Sequence, residues 1–138
     1  MKIGLARNIL GAIWLVGSVL FLVMLFLKSP QSKNGDELQD VWKLAPTLVS
    51  PMLALVMAFF FGVPDSKKEE KLENVASFYA ALFISVMHLL VLSIATFVWT
   101  DPILDNLRKA NLFVGYFSTV LTIPALSFFF LRASVGTK

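Results

Sequence analysis

The chain contains no cysteine, a single histidine and few charged residues: Asp, Glu, Lys and Arg make up 15% of its 138 positions. An ordinary soluble domain carries about 25%. The missing cysteine excludes a disulfide framework, thiolate metal sites and cysteine redox chemistry. One His with no carboxylate in helical reach inside an apolar run gives no metal-ligand cluster. No Gly-rich phosphate loop occurs. No basic stripe with interleaved aromatics lies outside the apolar runs, so nucleic acid is not an expected partner. No Asp, Glu, Lys or Arg falls within any of the long apolar runs. Pumps and proton relays normally need such groups at depth. We therefore expect no enzyme, no cofactor and no metal.

What the chain has in excess is apolar surface. Hydrophobic residues make up 57% and the mean hydropathy is +0.77. That rules out disorder and makes a soluble domain improbable. The length suits one domain with four membrane spans of roughly 20 residues each. The runs cover about residues 9–27, 44–63, 75–100 and 112–131. The first follows Lys2 and Arg7, as a signal peptide would. Its length exceeds the roughly 7–15 residues of a signal-peptide core, and no Ala-x-Ala pattern closes it. It reads as a transmembrane helix.

The second run holds Pro46 and Pro51 and ends at Gly62 and Pro64. Pro46 suits a first turn, and Pro51 should kink the span or delay its regular start. Before the third run, Ser66 and Glu69 have capping-box spacing, and no Pro or Gly interrupts Lys67 to Trp99. This predicts a helix of about 33 residues, roughly 50 Å long. Its first turns should project beyond a hydrocarbon core of about 30 Å. Leu38, Val41, Trp42 and Ala45 share one helical face, and Asp101-Pro102 starts another with Ile103, Leu104 and Leu107. Both stretches read as short interfacial helices in the outer loops.

Lys2, Arg7, Lys67, Lys68, Lys71, Arg132 and Lys138 fall on one side of such a layout. Lys28, Lys33, Lys43, Arg108 and Lys109 fall on the other. The bias points to both termini in the cytoplasm of a bacterial inner membrane. Trp42 and Trp99 then lie in the outer aromatic belt.

His88 stands near the middle of the third span, with Ser85 and Thr96 on its face. Thr119 and Thr122 belong to a small, polar face of the fourth span with Gly115, Ser118 and Ala125. These five side chains, Ser85, His88, Thr96, Thr119 and Thr122, are the pore or gate candidates. The alternative is a neutral His bonded to Ser or Thr on a neighbouring helix. Ser50, Ala54, Ala58 and Gly62 recur every four residues, and Ser77 and Ala81 continue towards Ser85; small stripes let another backbone approach. They suit packing within one protomer or between subunits. Phe59, Phe60, Phe61, Phe128, Phe129 and Phe130 are candidates for a hydrophobic constriction, or for lipid-facing bulk. Lys67, Lys68, Glu69, Glu70, Lys71 and Glu73 align like charges one turn apart. They are the candidate contact for a cytosolic partner, or a solvated helix.

From Ser50 to His88 runs a small-residue span ending in glycine, a charged loop and a long third span. In this arrangement and in length the chain resembles the RexB-like exclusion proteins of phage defence. In its four-span layout it also resembles the KwaA membrane subunit of the Kiwa defence system. The resemblance implies a channel-like or membrane-sensing role in antiphage defence and carries over no functional residue. Pore-forming-colicin immunity proteins share the layout. The expectation is thus an all-α, four-span homo-oligomer, a tetramer for instance. It would alter permeability or present a cytosolic partner at the membrane. The alternative is an immunity or accessory protein packed against another membrane protein.

Overall fold

The computed structural model describes residues 1–28, 35–62, 70–72, 74–98 and 102–134, with side chains except those of 59, 60, 62 and 130–134. The elements are α1 (Ile3–Lys28), α2 (Gly35–Gly62), α3 (Val75–Phe97), α4 (Ile103–Phe117), a π-helical turn (Ser118–Thr122) and α5 (Ile123–Ser134). Four stretches are long and apolar enough to cross a membrane: Ile3–Lys28, Gly35–Ala58, Val75–Phe97 and Ile103–Phe129. Much of their outer surface is large and apolar. Leu27, Phe83, Leu112 and Val120 are all about two-thirds exposed. Water disfavours such a girdle and lipid accepts it. The chain is a multi-pass, all-helical membrane protein.

The helices run up, down, up, down. One apolar cluster joins the start of α1, the end of α2, the start of α3 and α5 through Ile3, Val56, Phe78 and Phe129. A second joins the opposite ends through Phe21, Val41, Leu92 and Leu107. α1 packs on α2 and α3, and α4 also packs on α2 and α3, so the seams form a ring. α1 and α3 are parallel neighbours.

The core face follows a heptad. In α3 the buried residues are Phe78, Ala81, Ser85, His88, Leu92 and Ala95, with Thr96 beside the last. In α1 they include Ala6, Leu10, Trp14, Ser18, Phe21 and Leu25. The strict alternation of threes and fours in α3, and the mixed threes and fours in α1, mark shallow, left-handed helix packing. The fourth span departs from it at one place. Leu107 and Val114 are buried and seven residues apart, but the next core residue is Thr122, followed by Leu126 and Phe129. The extra residue is absorbed by the π turn, where Ile123 N–H donates to the Ser118 carbonyl. Pro124 explains its position. Proline offers no N–H and its ring crowds the carbonyl four residues back, so the preceding turn widens.

Three expectations need correction. Residues 36–45 do not form a separate interfacial helix; α2 runs unbroken from Gly35 through Pro46 and Pro51. Ile103 to Leu107 likewise form the first turns of α4. The long third helix does not reach back through Glu70, Lys71 and Leu72. α3 begins at Val75, where the Asn74 side chain accepts a hydrogen bond from the Ser77 N–H at 3.1 Å. Before it, Leu72 N–H donates to the Met1 carbonyl at 2.8 Å, and Ile3 N–H to the Glu70 carbonyl at 3.0 Å. This short antiparallel contact sets Lys2 opposite Lys71. The Asn74 cap and the burial of Leu72 win over helix continuation. The helix of 23 residues is then about 35 Å long, close to the hydrocarbon thickness. The Ser66–Glu69 capping box lies outside the described residues.

Candidate functional site

Between the two apolar clusters lies a buried polar layer contributed by α1, α3 and the π turn. Its residues are Trp14, Ser85, His88 and Thr122, each 1% exposed or less. His88 Nδ1 and Thr122 Oγ1 share a hydrogen bond of 3.0 Å. Whether the ring donates or accepts depends on its tautomer. The Trp14 Nε1–H donates to Ser85 Oγ at 3.0 Å. Ser85 in turn donates to the Ala81 carbonyl one turn back, at 2.7 Å. The imidazole sits between two aromatic rings. Trp14 approaches it edge to face with centroids 5.3 Å apart, and Phe117 does so at 5.9 Å. Such T-shaped contacts fix a ring's orientation. His88 Nε2 and the buried Ser18 Oγ have no hydrogen-bond partner among the described residues. Buried polar atoms are normally satisfied, so each of these two has unused hydrogen-bonding capacity.

The π turn also faces outward. On the seam of α2 and α4 it borders a crevice of about 160 Å³ lined by Thr47, Pro51, Asn111, Gly115, Ser118 and Thr119, among others. Asn111 stands two residues beyond Lys109, the last charged residue of α4. Thr119 lies about 12 Å further along the axis. The crevice thus runs along the membrane-spanning part of the α2/α4 seam. The Thr119 hydroxyl donates to the Gly115 carbonyl at 2.8 Å, which leaves its oxygen free to accept. One turn beyond, Thr122 points into the core at His88. The widened turn therefore connects an outer polar crevice with the inner polar layer.

The structure divides the sequence candidates. Ser85, His88, Thr96 and Thr122 are buried inside the protomer, and Thr119 is exposed. Thr96 bonds its own helix, donating to Leu92 O at 2.8 Å. It stands apart from His88, near Asn106. The proposed polar face of the fourth span is split, because the π turn rotates Thr122 inward while Gly115 and Thr119 stay outside. Ser50, Ala54 and Ala58 are exposed on α2, Ala81 is buried in α3, and Ser77 is half-buried. The side chain at Gly62 lies outside the described set, as do Phe59, Phe60 and Phe130. Phe61 and Phe128 are exposed, and Phe129 packs in the core on Phe78 with ring centroids 5.8 Å apart. Glu70 and Lys71 are exposed beside the N-terminus, whereas Lys67, Lys68, Glu69 and Glu73 lie outside the described residues.

Sequence reading missed Trp14, Phe117 and Ser18. The signal was available in α1, where Arg7, Trp14 and Phe21 recur every seven residues and all are buried. No group of three or more His, Asp or Glu that could hold a metal ion occurs among the described residues. No protein-family model, curated protein or solved structure matches the chain.

Proposed function

We propose that this chain is a non-enzymatic, homo-oligomeric membrane protein whose subunits meet along the α2/α4 side and share a hydroxyl-lined path across part of the bilayer. The observation that carries the reading is the crevice from Asn111 to Thr119. Around it the membrane-facing surface is small or polar: Thr47, Ser50, Ala54 and Ala58 on α2, and Asn111, Gly115 and Thr119 on α4 are all exposed. Most of the rest of the girdle is large and apolar. Lipid gives amides and hydroxyls no partner, while another helix approaches closely over small residues. Uncharged hydroxyl linings suit a weakly selective or dewetting-gated path. The buried layer of His88, Thr122, Ser85 and Trp14 adjoins that path and supplies its gate or sensor. The chain's place in antiphage defence is inferred from the resemblance in four-span layout.

Cysteine substitution tests the interface directly, because the chain has no cysteine of its own. Ala54→Cys and Ala58→Cys should each give a disulfide-linked pair in native membranes, and Leu20→Cys on α1 should not. Conductance of the purified wild type in planar bilayers should fall when Thr119 is replaced by Val. A strict monomer by native mass spectrometry in nanodiscs, with no Ala54 cross-link, would remove the shared path. The α2 stripe would then belong to an accessory protein's contact with a different membrane protein.

A further inference from the structure

The parallel pair α1 and α3 leaves a lipid-facing groove that the oligomer reading does not use. Its volume is about 570 Å³, and it is lined almost wholly by hydrocarbon, including Gly17, Leu20, Met24, Leu89 and Leu90. That volume is typical of small-molecule sites. Gly17 forms a low point in one wall. A Cβ there would stand 2.6 Å from Leu89 Cδ1, so only the missing side chain lets Leu89 fold down.

The groove runs from Ala12 to Met24, about 18 Å along the axis. One leaflet of hydrocarbon is about 15 Å deep. The groove therefore matches a single leaflet. One turn beyond Met24 stands Lys28, and one turn beyond Ser93, the last α3 residue of the lining, stands Phe97. The two close the end of the groove. Lys28 Nζ donates to the Phe97 carbonyl at 3.1 Å and lies 5.7 Å from the Phe97 ring centroid. The ammonium is thus held in place at the mouth, with donors to spare.

We propose that this groove binds one acyl chain of an anionic phospholipid, whose phosphate is taken by Lys28. A fixed cation at the mouth, an apolar trough below it and the length of one leaflet define that ligand together. A second copy's helix fits less well. Leu20, Met24 and Leu90 are long, flexible side chains, whereas helix docking in lipid wants small residues along the seam.

The test is native mass spectrometry of the full chain released from nanodiscs of equal phosphatidylglycerol and phosphatidylcholine. The wild type should retain one phosphatidylglycerol per chain, with about a five-fold preference over phosphatidylcholine, as one interfacial lysine provides. Lys28→Gln should abolish the preference. Leu90→Trp, which fills the trough from an exposed position, should lose the bound lipid, and Leu112→Trp on α4 should keep it. Equal retention of the two lipids by the wild type would overturn the proposal. So would unchanged retention by Leu90→Trp, or cross-linking of Leu90→Cys between copies. None of these readouts depends on whether subunits meet along α2 and α4.

Discussion

His88 and Thr122 are 34 residues apart in sequence and 3.0 Å apart in space, and their contact exists because the fourth span contains one residue more than a regular heptad allows. The π turn brings Thr122 round to α3. Without it Leu121 would take the core position, and His88 would face an isobutyl group. His88 Nδ1 and the Thr122 hydroxyl thereby find each other in the middle of an apolar bundle.

The first prediction concerns this pair. A double-mutant cycle of His88→Phe and Thr122→Val should return a coupling of about 0.6 kcal/mol, and no more than about 1.7, the range for hydrogen bonds between membrane helices. Trp14→Phe with Ser85→Ala should fall in the same range. Denaturation in mixed micelles measures both. A coupling of zero for His88 and Thr122 would mean that the bond adds nothing to the fold.

Deleting Val120 together with Pro124→Ala should convert the π turn to regular α-helix while keeping Thr122, Leu126 and Phe129 in the core. Val120 is exposed, so little packing is lost. Inserting an alanine after Val120 should instead rotate those three residues away by about 100°. That change should cost as much as a large-to-small core substitution, about 2–5 kcal/mol. Equal stability of the two variants would refute the register argument.

Gly17→Ala should destabilise by about 1–3 kcal/mol, the usual cost of overpacking. The new methyl must displace the end of Leu89. Adding Leu89→Ala should recover part of the loss, since the clash and its partner are then both removed. Additive losses in the double variant would show that the close approach is not what Gly17 is for.

Lys2 and Lys71 are the directly opposed, non-hydrogen-bonded pair of the N-terminal contact, the arrangement in which side chains come closest. Like charges there are unfavourable. Lys71→Glu should slow hydrogen exchange at the Ile3 and Leu72 amides, most clearly at low salt. Unchanged protection would locate the strength of this contact in Leu72 burial alone.

Much of the fold was legible in composition and run length. Absent charge in the apolar runs marked the spans, and Pro and Gly marked most of their ends. The start of α3 was not legible, because Asn74 competes with a stronger-looking pattern upstream, and only the buried Leu72 decides between them. The interfacial helices were misplaced for a similar reason. A change from amphipathic to apolar along one helix looks like two elements. At the site, His88 and Ser85 stood out as polar residues in a hydrocarbon run. Thr122 was assigned to the same face as Thr119, since regular α-helical spacing was assumed through Pro124. Trp14 was overlooked because an aromatic residue in an apolar span draws no notice until its N–H needs a partner.

The start of α1 is bonded to the segment before α3, by the Met1–Leu72 and Ile3–Glu70 backbone bonds, and its end is bonded to α3 itself, by Lys28 on the Phe97 carbonyl. Sliding of α1 along α3 would strain both sets of bonds. The fourth span is fastened to α3 at two levels by side chains, Asn106 donating to the Thr96 carbonyl at 3.4 Å and Thr122 sharing its bond with His88 at 3.0 Å. A displacement of the π turn relative to α3 would therefore act directly on the His88–Thr122 bond.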